Sequence, residues 1–358
     1  MQKTICFDLE GPLSPQDNAY ELMALIPNGK KIFEVISKYD DVLTLEKKPN
    51  YEPGDTLSLI VPFLIYHNIS EDDIKKVSDG AKIVSGAKEL ISKLKELGFR
   101  VYIISTSYEQ HAFNIGKRVG VSKQDIYCTK FPLDKFKSYV NKKDFPLIEK
   151  TEREILKLHK FLDRGTEKIK DLLDKFFWCE IQKTSFKEVM KNVIVVGGKR
   201  KLDALLEISK KNKIQLNEII VIGDSITDYR MLDTVKKANG LAIVFNGNEF
   251  ALPYGNFALA SQDIRFLIFI VDAFIRGGKD KAIEVIKKFE ESRGSIKTLD
   301  ELKEGFPENL RDFLIKNKNL PLPYFHYLED VNEIKMKNII EIHKKFRKLV
   351  RGEAAKLG

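Results

Sequence analysis

Two short apolar runs, each closed by carboxylates, constrain this chain more than any other feature. Ile5-Cys6-Phe7 runs into Asp8-Leu9-Glu10, and Ile219-Ile220-Val221-Ile222 runs into Gly223-Asp224-Ser225-Ile226-Thr227-Asp228. A run rich in β-branched residues, apolar at successive positions and closed by turn formers, suits a strand buried on both faces of a parallel sheet. In open sheets of that kind, ligands sit beyond the carboxyl ends of the strands. The acids of both runs therefore point into one crevice. Carboxylates gathered there repel one another and resist ionisation unless a hard cation with oxygen preference lies between them. Mg²⁺ suits such a set, because it keeps some waters and shares phosphate oxygens. The residues describe a metal-assisted phosphate site.

Strand-like runs alternate with helical periods along the chain in the βαβ manner. This order predicts an α/β fold with a Rossmann-like parallel sheet core built from residues 1–14, 84–130 and 192–262. Within it, Gly86 to Gly98 reads as an amphipathic helix with a glycine stop, followed by the strand Val101-Tyr102-Ile103-Ile104, which ends at the hydroxyls of Ser105-Thr106-Ser107. A further strand is expected at Val193-Ile194-Val195-Val196, then Gly197-Gly198-Lys199-Arg200-Lys201 opening a helix from Leu202 to Lys210. After the strand at 219–222 come a helix from about Asp228 to Lys237 and a last strand near Leu241 to Phe245. Residues 15–83 interrupt the core directly after the first acidic strand and read as a helical cap, well sited to act as a lid. Residues 131–191 form a second, Lys-rich helical insert holding the single tryptophan, Trp178. Residues 263–358 read as a helical C-terminal extension with a Pro-bearing loop at Leu320-Pro321-Leu322-Pro323.

Composition narrows the setting. The chain has 358 residues, enough for two or three structural units, and 43% hydrophobic against 32% charged residues indicates a soluble globular protein. A net charge of +9 is compatible with phosphorylated metabolites, nucleic acid or acidic proteins and does not choose among them. No RNP-like aromatic motif, zinc finger or helix-turn-helix pattern supports nucleic acid. Cys6, Cys128 and Cys179 are scattered and odd in number, so they suggest neither a disulfide framework nor a metal motif, and a reducing cytoplasm is the simplest setting. Met1-Gln2-Lys3-Thr4 runs straight into the first strand and leaves no room for a signal peptide. The most apolar stretch, Phe266 to Ile275, contains Asp272 and is far shorter than the ~20 residues a membrane span needs. His67, His111, His159, His326 and His343 lack paired metal-ligand spacing. Lys30, Lys31, Lys47 and Lys48 in the cap are candidates for reading the far end of a substrate. The terminal helix, Lys335 to Arg351, is amphipathic and basic, a pattern that a packed helix with a solvated face shares with surfaces for membranes or partners.

Asp8-Leu9-Glu10 after the first strand, a hydroxyl at Ser105 after the second, Lys201 opening a helix, and Gly223-Asp224-Ser225-Ile226-Thr227-Asp228 resemble, in order, the four motifs of the haloacid dehalogenase superfamily of phosphotransferases. The resemblance covers about half the chain. Phe7-Asp8-Leu9-Glu10-Gly11 and Ile104 to Glu109 look most like the phosphoserine phosphatase branch, which carries its cap where this chain has residues 15–83. The resemblance implies Asp8 as a nucleophile forming an aspartyl-phosphate, a role its chemistry supports independently, and Glu10 as general acid and base. It implies Ser105, with Thr106 beside it, and Lys201 as the phosphate-binding groups. Mg²⁺ would be held by Asp8, the backbone carbonyl of Glu10, and Asp224, with Asp228 ligating through water or holding Lys201. Lys199 competes with Lys201 for the lysine role; the spacing of Lys201 to Ala204, Leu205 and Ile208 favours it as the residue at the start of a helix packed on the sheet. Glu10 stands where most phosphatases of the superfamily have Asp, a difference of one methylene at the acid.

These features imply a Mg²⁺-dependent hydrolase of a small phosphorylated metabolite such as phosphoserine. Two alternatives stand beside it. One is phosphate transfer to an alcohol. The other, motivated by Glu10, the large inserts and the basic tail, is a catalytically weak scaffold serving a protein complex or a homo-oligomer through the C-terminal extension; in this the chain also resembles uncharacterised archaeal members of the superfamily, some labelled hydrogenase subunits.

Overall fold

The computed structural model describes residues 3–162, 164–295, 316 and 321–356. Met1, Gln2, Leu320 and most of the stretch 296–319 lie outside them, so the expectations for the first residues, for the start of the Pro-bearing loop and for an unbroken helical pattern after 263 are not described there.

In chain order, the elements that build the site are strand β1 (Lys3–Phe7), cap helix α1 (Gly29–Leu45), helix α2 (Ala87–Glu96), strand β2 (Phe99–Tyr108), helix α3 (Glu109–Val119) and strand β3 (Ile126–Thr129). They continue with helix α4 (Lys199–Asn212), strand β4 (Ile219–Gly223), helix α5 (Tyr229–Lys237), strand β5 (Leu241–Phe245), strand β6 (Phe257–Ala260), helix α6 (Leu267–Ser292), strand β7 (Tyr324–Tyr327) and helix α7 (Glu333–Arg351). The strands form a seven-stranded sheet in the order β3-β2-β1-β4-β5-β6-β7. Pairing is parallel from β3 to β6, and β7 alone is antiparallel, with Phe257 opposite Tyr327 and Ala260 opposite Tyr324.

Side chains alternate across the sheet with the two-residue period of a strand. Ile5, Phe7, Val101, Ile103, Ile220 and Ile222 pack on one face with Leu90, Leu94, Ala112, Ile115 and Leu267, which come from α2, α3 and α6. Cys6, Tyr102, Ile104, Ile219 and Val221 pack on the other with Leu205, Ile208, Met231, Leu232 and Ile339, which come from α4, α5 and α7. This is why the central strands read as continuous apolar runs. It also puts β1 and β4 side by side, with Phe7 opposite Ile222, so Asp8 and Asp224 leave neighbouring strands at the same edge.

Residues of both inserts share one apolar cluster. Tyr39 stacks on Phe177 at a centroid distance of 6.1 Å and Phe63 meets Phe176 at 6.0 Å. Tyr108, at the end of β2, stacks on Phe131 at 3.9 Å and donates its hydroxyl to Leu57 O at 2.5 Å, tying this layer to the sheet.

Three expectations need correction. Val193 to Val196 is not a strand: Val193 and Val195 are buried in the cap cluster, Val195 O accepts from Arg200 Nη1 and Val196 N donates to Thr129 Oγ1, so side chains take the hydrogen bonds a ladder would supply. The sheet does not end at Phe245, because β6 and β7 extend it. The extension after 263 is therefore not helical throughout, and β7 within it closes the sheet's edge.

Candidate active site

Asp8 follows β1 directly. Its backbone N–H continues the ladder to Ile222 O at 2.8 Å, while its Oδ1 accepts from Leu9 N at 2.7 Å and pairs with Lys201 Nζ at 2.7 Å. Lys201 lies in the first turn of α4, one turn before Ala204 and Leu205, which pack on the sheet and aim the lysine at its edge. It is wholly buried, and its Nζ also donates to Asp228 Oδ1 at 2.7 Å. Lys199, its competitor, is exposed and paired with Asp203 at 2.8 Å.

Asp228 supports the centre from beneath. Its Oδ2 accepts from the backbone N–H of Asp224 at 2.9 Å and of Ser225 at 3.2 Å, which holds the turn after β4 in place. Asp224 is buried across from Gly11, where the chain turns back with φ +97°. A Cβ at Gly11 would stand 2.3 Å from Asp224 Oδ2, so glycine is required both by the conformation and by the close approach.

Glu10 is held by two donors, Ser107 Oγ at 2.5 Å and Asn18 N at 3.1 Å. Burial, followed by the charge of Asp17, pushes its carboxyl up to about 7, so that both protonation states are accessible near neutrality. Burial also raises Asp8, reinforced by Asp228 and Asp224 and opposed by Lys201.

The register between β2 and β3 shifts between Ser105 and Tyr108, and this bulge re-aims the hydroxyl residues at the strand end. Ser105 is buried, with its Oγ accepting from Ser107 N at 3.1 Å. Thr106, whose carbonyl accepts from Thr129 Oγ1, lines the crevice.

The crevice encloses about 70 Å³ and is walled on the core side by Asp8, Glu10, Thr106 and Asp224 and on the cap side by Asp17, Phe33, Ser37, Asp40, Thr56 and Leu57. Lys30, Lys31, Lys47 and Lys48 do not line it: Lys30 lies near Glu353, and Lys48 pairs with Asp174 and covers the ring of Trp178. Among the described residues, none of the second insert lines it either, and those residues back the cap without reaching the chamber.

Oxygens of Asp8, Asp224 and Asp228 lie within 4.8 Å of one another, and Asp224 Oδ1 is buried without a hydrogen-bond partner among the described residues. A hard-oxygen donor set with an unmet acceptor fits a divalent cation of the Mg²⁺ type. Sequence reasoning does not single out two further residues of this centre. Arg347 and Arg351, from the last two turns of α7, both donate to Asp224 Oδ2. On a lysine-rich helix they read as part of a solvated face. The available signal is that these are the only two arginines of α7 and stand four apart, hence on one side of it.

Fold and site together define a helix-capped, three-layer α/β protein with a carboxylate–lysine centre at the carboxyl edge of its parallel strands. Residues 79–244 match the family model of the haloacid dehalogenase-like hydrolases, a stretch that includes Ser105, Lys201, Asp224 and Asp228 and excludes Asp8 and Glu10. Among solved structures, a gene product from Archaeoglobus fulgidus is 25% identical, with a TM-score of 0.78 over 100% of this chain and 99% of that one. A phospho-aspartyl intermediate analogue of phosphoserine phosphatase is 17% identical, with a TM-score of 0.46 over 75% of this chain and 97% of that one. A family hydrolase from Salmonella enterica subsp. enterica serovar Typhi is 13% identical, with a TM-score of 0.43 over 69% and 64%. No curated protein sequence matches. The likeness to the haloacid dehalogenase-like hydrolases thus lies in residues 79–244, somewhat less than half of the chain. Among the described residues, no helix is long and apolar enough to cross a membrane.

Proposed function

We propose that the protein is a Mg²⁺-dependent phosphomonoesterase of a small metabolite, working by double displacement through Asp8. One observation carries the reading: a buried lysine holds Asp8 and Asp228 at 2.7 Å each, and Asp224, whose Oδ1 has no hydrogen-bond partner among the described residues, offers an oxygen within 4.8 Å of theirs. This is a carboxylate nucleophile inside an electrostatic cradle, and positioning with charge stabilisation is most of what phosphoryl transfer requires.

An oxygen of Asp8 attacks phosphorus, and the bond to the leaving oxygen breaks as Glu10 gives that oxygen its proton. Glu10, now ionised, takes a proton from water, whose oxygen attacks the aspartyl-phosphate and returns Asp8 and inorganic phosphate. A carboxyl pushed up to about 7 can serve both steps near neutral pH. Ser107 and Asn18 hold Glu10 for this work, which supports the longer side chain at a position the superfamily usually gives to Asp. Lys201 neutralises charge on Asp8 and on the transferring group, and Ser105 and Thr106 contact its oxygens. Asp8, the Glu10 carbonyl and Asp224 would hold Mg²⁺, with Asp228 behind them; the cation supplies charge neutralisation and in-line orientation of the phosphate. The small chamber and the polar cap residues Ser37, Asp40 and Thr56 support a small, polar leaving group, of which phosphoserine is one example.

Phosphate release from a panel of phosphomonoesters, with and without Mg²⁺, tests the reading with Asp8→Asn alongside. Metal-dependent release that disappears in the variant is expected. Release that survives in Asp8→Asn, or none from any ester, overturns it; loss of ester without free phosphate points to transfer onto an alcohol.

A further inference from the structure

We propose that Arg347 and Arg351, on the C-terminal helix, are positioning residues of the metal site: together they hold one oxygen of Asp224 so that the other is presented to the cation. The inference rests on the metal-site reading of the preceding subsection and assigns it two residues more than a hundred positions beyond the last acidic motif.

The two side chains are 2% and 5% exposed, respectively. Arg347 Nη1 donates to Asp224 Oδ2 and, at 3.2 Å, to the Asp224 carbonyl, while its Nε donates to Ala355 O at 3.0 Å. Arg351 Nη1 donates to the same Oδ2 at 2.8 Å, and its Nε donates to Pro15 O at 3.2 Å. Burying two guanidinium groups is costly unless the surroundings return the lost solvation. A carboxylate needing only an ion-pair partner would be served by one of them. Here both converge on a single oxygen, and the second oxygen of the same group is left buried with no partner among the described residues.

That asymmetry has a purpose if Oδ1 is the ligand atom. Two donors from different turns of α7 fix the carboxylate plane of a residue that offers an oxygen within 4.8 Å of oxygens of Asp8 and Asp228. Outward hydrogen bonds to a metal-ligating carboxylate orient it, and their loss typically weakens metal binding by about 10–100-fold. The arginines do not cancel the attraction for a cation, because Asp8, Glu10, Asp17 and Asp40 line the same crevice as Asp224. The helix is also anchored where this role needs it, since Lys356, just beyond it, reaches Glu34 of α1 at 2.9 Å. The C-terminal helix thus completes the site by joining core, cap and Asp224.

Calorimetric titration of the full chain with Mg²⁺ decides the matter, using Arg347→Gln, Arg351→Gln, Arg351→Lys and Asp224→Asn. The Gln variants should raise the Mg²⁺ dissociation constant by about 10–100-fold, with Arg351→Lys between them and wild type, because a lysine keeps the charge but cannot serve Pro15 O and Asp224 Oδ2 together. Thermal midpoints measured in chelator separate this from a general loss of structure, and if Arg347→Gln fails to fold, the Arg351 pair carries the test. Unchanged Mg²⁺ affinity in folded variants overturns the proposal and leaves the arginines a structural role. Tighter binding also overturns it, by making the arginines competitors of the cation. A wild type that binds Mg²⁺ no better than Asp224→Asn removes the metal reading itself, an outcome distinct from either.

Discussion

Lys201 has no exposed surface and balances two carboxylates at once, so its removal strands charges that water cannot reach. Lys201→Met should lower stability by about 3–5 kcal/mol, as expected when one member of a buried ionic set is deleted, and should abolish phosphate release. Urea unfolding and the phosphate assay read the two effects separately; a variant of wild-type stability would contradict the buried pairing. Gly11 makes a second demand at this scale. Alanine there must hold φ near +97° and place a Cβ 2.3 Å from Asp224 Oδ2, so Gly11→Ala should lose about 1–3 kcal/mol and weaken Mg²⁺ binding as Asp224 shifts. Thermal melting with and without Mg²⁺ checks both parts. Asp8, Lys201, Asp224 and Asp228 are legible in the sequence because each follows a strand or opens the next helix, where chain order alone brings them to one edge. Arg347 and Arg351 are not, because their meeting with Asp224 depends on how α7 lies across the sheet, and periodicity carries no such information.

Among the elements, β1, β2, β4 and β5 stand out in the sequence since helices cover both their faces and leave no polar alternation. Ile126–Thr129 and Phe257–Ala260 have four residues each and Tyr324–Tyr327 is an edge strand, so none offers a run long enough to read. Val193 to Val196 misleads for the opposite reason, since its apolar residues serve the cap cluster while its backbone is satisfied by Arg200 and Thr129. The loop from Glu52 to Asp55 is the element whose behaviour can be tested. Gly54, at φ +94°, lets it pass close to Thr106 and Thr227. Arg200 Nη1 then holds Asp55 at 2.6 Å, and Lys199 N donates to Glu52 at 2.9 Å. Partly exposed ion pairs add little to global stability, so Arg200→Gln should change it by less than about 1 kcal/mol while loosening the cap locally. Hydrogen exchange should then rise in residues 50–60 and stay unchanged in the central strands; an unaltered cap loop would show that Arg200 does not restrain it.

At the scale of the whole molecule, the cap and core are joined by buried polar contacts as well as apolar ones, and one of these makes stability depend on pH. His111, on α3, is fully buried, with Nδ1 3.0 Å from Ser78 Oγ in the last helix of the cap and Nε2 unpartnered among the described residues. Burial, with the nearby charge of Arg118, pushes its pKa down to about 3. The unfolded chain binds this proton near pH 6.5 and the folded chain does not, so stability is fully present above about 6.5 and is lost as pH falls toward the folded value. At pH 5 the loss from this residue amounts to about 2 kcal/mol. Glu10 and Asp40, each raised to about 7 by burial, act in the opposite sense over the same range, since they hold protons in the folded state that the unfolded chain has released. The net slope of the wild type is therefore a sum, and a variant is needed to isolate the histidine. His111→Gln keeps a polar group beside Ser78 without a titrating nitrogen, and the difference in unfolding free energy between pH 7.5 and 5.0 should become more favourable to acid by about 2 kcal/mol than in wild type. Chemical denaturation at the two pH values measures it directly. An identical pH dependence in both proteins would mean that His111 is reached by protons in the folded state, and that the seam between cap and core opens more readily than its packing indicates.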